Sequence, residues 1–156
     1  MSLLFAVETL HVIGATVLLG TGAGIAFFML MADRTRDARL VAHTAGVVVI
    51  ADFLFTATAI VLQPITGAAL AALEGQPLGQ GWILASLALY VVAGVFWLPV
   101  VWMQLRMRDL ARAASAAGEP LPPAYHRLYR VWFAFGFPAF AAVIAIIWLM
   151  VAKPVL

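Results

Sequence analysis

Three ionisable side chains, Glu8, His11 and Asp52, interrupt otherwise apolar stretches of this 156-residue chain. In hydrocarbon such a group is costly unless it is paired or faces an internal cavity, so each is a functional candidate. His11 offers an imidazole nitrogen to a metal. At about 100° per residue, Glu8, Gly14, Ala15, Leu18 and Gly22 fall within about 60° of it on a helix. Beyond the histidine that face is small or bare. Haem b needs both features, an imidazole for the iron and room for a planar macrocycle, so His11 is the candidate metal ligand and Gly14, Ala15, Leu18 and Gly22 the candidate wall. Glu8, one turn earlier, is placed to accept a hydrogen bond from the other ring nitrogen, to lie beside a propionate, or to relay protons. The same spacing fits a histidine packed in a crowded bundle, with the glycines serving helix contact. Spacing alone does not separate the two.

Asp52 falls about ten residues into the second apolar stretch, near mid-membrane at about 1.5 Å per residue. Its face continues through Thr56 and Gln63, a polar stripe leading toward the depth of His11 and Glu8. That stripe suits a proton path or the polar wall of a cofactor pocket; the plainer alternative is a structural hydrogen bond from Asp52 to Tyr90 or Trp97. His43 and His126 open the second and fourth stretches. They are either a bis-histidine pair for a second haem or solvated interfacial residues. The methionines do not cluster into a thioether copper site. Trp82, Trp102, Trp132 and Trp148 sit toward the ends of the apolar stretches, as interfacial anchors do. Hydrolase and nucleotide-binding motifs are missing from the sequence.

The elements that hold these residues follow from composition. Hydrophobic residues make up 65% of the chain and charged residues 10%, and the mean hydropathy is +1.07. A soluble domain averages about 45–50% apolar and about 25% charged, so a water-facing fold and a disordered chain are both excluded. With no cysteine, disulfides, Cys-ligated clusters and C-x-x-C-H haem attachment are excluded too. Spanning helices of about 20 apolar residues are expected over 3–31, 42–62, 82–103 and 131–151. The first lacks the basic leader and short apolar run of a cleaved signal peptide. Eight of the nine basic residues (Arg34, Arg36, Arg39, Arg106, Arg108, Arg112, Arg127 and Arg130) lie in 32–41 and 104–130, and only Lys153 lies elsewhere. The positive-inside rule makes those two loops cytoplasmic and puts 63–81 and both termini outside. The net charge of +2 is therefore a topology signal, and no nucleic-acid partner is implied. The expectation is one membrane domain over 1–156, an all-α antiparallel four-transmembrane-helix bundle. A short surface helix is expected at 68–73, and kinks at Pro99 and Pro138.

The stretches Leu10-His-Val-Ile-Gly-Ala-Thr-Val-Leu-Leu-Gly-Thr-Gly-Ala-Gly, Ala51-Asp-Phe-Leu-Phe-Thr to Gln63-Pro-Ile-Thr-Gly, Trp97-Leu-Pro-Val-Val-Trp-Met-Gln and Pro138-Ala-Phe resemble the DUF2269 family of bacterial integral membrane proteins, over nearly the whole chain. More distantly the chain is similar to the HemJ-type protoporphyrinogen oxidases and to CopD-type membrane domains. HemJ-type proteins bind haem b, and Leu10-His11-Val12-Ile13 resembles the context of a histidine important for it, so the resemblance implies a haem-ligand role for His11. The Leu-Pro-Arg and third-span lysine of HemJ-type proteins have no counterpart here, which speaks against protoporphyrinogen oxidation.

The expected function is a haem b-binding redox or electron-transfer protein of the bacterial inner membrane, with a quinol or a redox partner subunit as electron partner. It would be embedded in the bilayer as a homodimer or as a subunit of a larger complex. In that reading Glu8, Asp52, Thr56 and Gln63 move or buffer the accompanying proton. The alternatives are a cofactor-free accessory subunit and a small transporter or copper-handling protein.

Overall fold

The structure, a computed structural model, describes residues 2–156. Four long helices follow one another: α1 (Leu3–Thr35), α2 (Ala38–Leu73), α3 (Gly81–Ala117) and α4 (Pro123–Ala152). Each is long and apolar enough to cross a membrane, and no strand occurs among the described residues. The architecture is the all-α four-helix membrane bundle that hydropathy predicts.

Local chemistry sets the helix ends. The Asp37 carboxylate caps α2 by accepting from the Arg39 amide at 2.8 Å, satisfying donors that the first turn leaves unpaired. Gly118 ends α3 in the left-handed region (φ 68°), where a residue without Cβ is not strained. Pro123 opens α4 at a position where a missing N–H costs nothing.

The connections are shorter than expected. The loop foreseen over 63–81 shrinks to 74–80, because α2 runs unbroken through Pro64 to Leu73; the surface helix expected at 68–73 is the last part of α2. Proline removes the N–H that would bond the carbonyl four residues back. Here that carbonyl belongs to Ile60, and it accepts instead from the Tyr90 hydroxyl at 2.9 Å. A tertiary donor replaces the lost one, and the helix continues. The connection foreseen over 104–130 likewise narrows to 118–122, since α3 and α4 extend well beyond their apolar segments.

One turn of α2, Asp52–Thr56, is a π-helix, in which the Ala57 N–H reaches the Asp52 carbonyl. It buries Asp52 and Thr56 while Phe53, Leu54 and Phe55 face outward. Below it, Ala38–Ala51 packs against both α1 and α3; above it, Ala57–Leu73 keeps α1 and leaves α3. The bundle is therefore tight at one end, around Met29, Val41, Met107 and Tyr125. Toward the other end it divides into an α1/α2 pair and an α3/α4 pair. A Lys153–Glu74 ion pair at 3.5 Å ties the two pairs together again near the C-terminus.

At Gly14 a methyl would collide with the Gln63 side-chain amide of α2, whereas one at Gly20 would meet nothing within 4 Å. Gly14→Ala is accordingly expected to push the Gln63 amide off the His11 carbonyl and to lower stability in detergent by about 0.5–1.5 kcal/mol, the net worth of one hydrogen bond. Gly20→Ala should leave it unchanged or raise it. Thermal unfolding followed by circular dichroism distinguishes the two.

Candidate functional site

Between the two helix pairs lies a cavity of about 410 Å³, inside the range of about 300–1,000 Å³ that small-molecule sites occupy. Ala15, Leu18 and Gly22 of α1 line it, as do Asp52, Thr56 and Gln63 of α2. Six of the nine residues singled out by spacing thus share one space. The facing wall comes from α3 and α4 and is aromatic, with Trp97, Trp132, Phe133 and Phe140. Gly22 and Phe140 meet where α1 faces α4, a methyl at Gly22 lying 3.9 Å from the Phe140 ring.

The polar end of the cavity is built around Asp52, which is 3% exposed. The Trp97 indole N–H donates to its Oδ1 at 3.3 Å. Gln104, with its amide oriented so that donors meet acceptors, donates to Oδ2 at 3.1 Å and accepts from the Trp132 indole at 3.3 Å. Trp132 fixes that orientation: an indole nitrogen only donates, so the Gln104 oxygen must face it and the nitrogen must face Asp52. Both carboxyl oxygens are therefore engaged by N–H donors from α3. Of the two partners considered for Asp52, Trp97 is the one found; Tyr90 bonds the Ile60 carbonyl instead. Thr56 is buried beside Asp52, and its hydroxyl has no hydrogen-bond partner.

His11 sits about one turn before Ala15 on α1, just beyond the cavity, and does not line it. Its Nδ1 lies 2.7 Å from Thr66 Oγ1. Thr66 Oγ1 also lies 2.7 Å from the Leu62 carbonyl and 3.3 Å from the Gln63 carbonyl; with its one hydrogen on either carbonyl, the oxygen accepts from His11 Nδ1–H. In the neutral ring this leaves Nε2 with its lone pair. Of the roles open to Glu8, the hydrogen bond to the His11 ring is not found: Thr66 holds Nδ1, and Glu8 is exposed. Gly14 also departs from expectation, because it is filled by Gln63, whose amide donates to the His11 carbonyl at 2.9 Å.

His43 borders a shallow surface depression with Arg112, and His126 rests edge-on against the Tyr125 ring. No group of three His, Cys, Asp or Glu side chains suited to a metal occurs among the described residues. Trp132, expected as an interfacial anchor, is buried at 4% exposure because its N–H is needed by Gln104. Gln104 and Thr66 went unrecognised in the sequence: both lay just past the expected ends of apolar segments, where a polar residue attracts no notice.

Replacing Gln104 by leucine strips the Trp132 N–H and one Asp52 oxygen of their partner together. The expected loss is about 1–3 kcal/mol per buried group left unpaired. Thermal unfolding of Gln104→Leu should show it.

A family-model comparison matches residues 5–154 to DUF2269, described as a predicted integral membrane protein. No curated protein and no solved structure gives a significant match. The match spans almost the whole chain and agrees with four membrane-crossing helices: the chain belongs to the DUF2269 family of predicted integral membrane proteins.

Proposed function

We propose that the chain is a redox protein of the bacterial inner membrane that holds haem b through His11 and exchanges electrons with a quinol or a partner redox subunit. The observation that carries this reading is the state of the His11 ring. Its Nδ1 is held 2.7 Å from Thr66 Oγ1, which fixes the ring's orientation and, in the tautomer protonated at Nδ1, presents the Nε2 lone pair, as hydrogen bonds behind metal-ligating histidines do. Bound there, haem b supplies one-electron redox chemistry.

The chain's own residues divide the remaining work. Ala15 and Leu18 form the wall nearest His11. Gly22 lies eleven residues further along α1, roughly 17 Å at 1.5 Å per residue, too deep to touch a macrocycle centred on the imidazole. Gly14 serves helix packing. Gln63, held at the His11 carbonyl, links the histidine end to the Thr56–Asp52 end, and Glu8 meets solvent beyond it, so protons have polar stations along this side of the cavity.

The spectrum tests this directly. Protein purified from haem-replete cells is expected to show a Soret band and a dithionite-induced α band. His11→Ala should lose both while retaining its helix content and elution volume. A colourless, folded wild-type protein, or a His11→Ala protein with an unchanged spectrum, overturns the assignment.

A second reading, an accessory subunit without cofactor, is favoured by Gly20, which is exposed with nothing near it. With Gly24 it forms a G-x-x-x-G spacing available to another membrane helix. Copurification of a partner complex with colourless protein would support it.

The sidedness read from the arginines is tested with single cysteines, since the chain has none of its own. In intact cells Gly79→Cys is expected to react with a membrane-impermeant maleimide and Glu119→Cys only after lysis. The reverse pattern would invert the topology.

A further inference from the structure

Thr56 and Thr66 are the two buried threonines among the described residues, and only Thr66 satisfies its hydroxyl within its own helix. The hydroxyls of Thr9, Thr16, Thr58 and Thr66 each donate to the carbonyl four residues back, at 2.7–2.9 Å, the usual way a helical threonine satisfies itself. Thr56 lies in the π-turn, where the Asp52 carbonyl takes the Ala57 N–H. Thr56 is 7% exposed and is one of the residues lining the cavity, and its buried hydroxyl, next to the Asp52 carboxyl, makes no well-formed hydrogen bond. A buried polar group without a partner calls for an explanation, and a ligand that bonds it is one.

The cavity defines that ligand. Its lining is almost wholly apolar, and Asp52 and Tyr90 are its only ionisable members, so the ligand is neutral; a charged lipid headgroup would be too costly at this depth. The polar end offers a hydroxyl, able to donate or accept, next to a carboxyl steadied by two N–H donors. Trp97, Trp132 and Phe133 stand around it, surfaces that favour a flat ring. α1 and α4 touch only lightly, with small residues (Gly22, Ala26, Gly136 and Ala139) on both sides of the gap, an exit for a long apolar tail. An acyl chain fits the tail path but leaves Thr56 unpaired.

We propose that this inner end of the cavity binds the ring of an isoprenoid quinol or quinone, with Thr56 and Asp52 reading a ring oxygen and the tail leaving between α1 and α4. The Thr56 hydroxyl accepts from the quinol form and donates to the quinone form, so it serves both. The proposal deepens the redox reading by naming the electron carrier, but the binding site itself owes nothing to haem.

The test uses quinone-depleted protein in lipid nanodiscs titrated with decylubiquinone, read as quenching of tryptophan emission. Saturable quenching is expected. Thr56→Val, nearly isosteric, should weaken it about tenfold, the size expected when a ligand loses a buried hydrogen bond. Ala26→Leu should weaken it by narrowing the cavity without touching the polar end. A titration that does not saturate overturns the proposal, as does equal affinity in wild type and both variants. Equal displacement of the quinone by palmitic acid assigns the cavity to lipid chains and overturns it too. Because the readout needs no haem, a colourless protein that binds decylubiquinone through Thr56 sinks the haem assignment and leaves this one standing.

Discussion

A carboxyl group in the middle of a bilayer has no water to turn to, and much of this fold can be understood as the answer to that problem at Asp52. Its hydrogen bonds must come from the protein. They come from Trp97 and Gln104, two residues seven apart on α3, and Gln104 in turn engages Trp132 of α4. One side chain thereby connects three helices through a chain of directional bonds in surroundings where apolar packing gives helices little orientation of their own. It also sits where the bundle changes character, at the π-turn that releases the second half of α2 from α3. The polar cluster and the parting of the helices belong to one feature.

Backbone accounting explains why the divided half still holds. Pro64 frees the Ile60 carbonyl, and Tyr90 reaches across to bond it. Gln63 bonds the His11 carbonyl, and Thr66 bonds the His11 ring. These links replace side-chain interdigitation above Asp52 and leave room between the pairs. A dense core there would have removed the cavity.

The parts visible in the sequence were those with a strong one-dimensional signature. Apolar length gives four spans, and the placement of Asp52 with Thr56 and Gln63 on one face follows from helical period. The face from Ala15 to Gly22 was right in direction, but spacing could not show that Gly14, on its margin, is turned to α2. Pro64 and the turn-forming residues around it read as a loop because a proline's missing N–H is local, whereas the Tyr90 hydroxyl that compensates lies 30 residues away in sequence. The π-turn leaves no periodic mark at all, since it adds a single residue to one turn. Trp132 and Gln104 were hidden for a related reason: near the end of an apolar segment, a polar or amphipathic residue is usually meeting water, and only a long-range partner reveals otherwise.

The uneven packing of the two ends carries a mechanical consequence. Volume that a protein can give up is concentrated where atoms are missing, and here that is the half above the π-turn. Squeezing the molecule, by hydrostatic pressure or by lateral stress in the membrane, should bring the α1/α2 pair toward the α3/α4 pair while the Met29–Met107 end stays put. The lipid environment would then govern how wide the gap beside Gly22 stands, making the thickness and tension of the host membrane a control on what can enter.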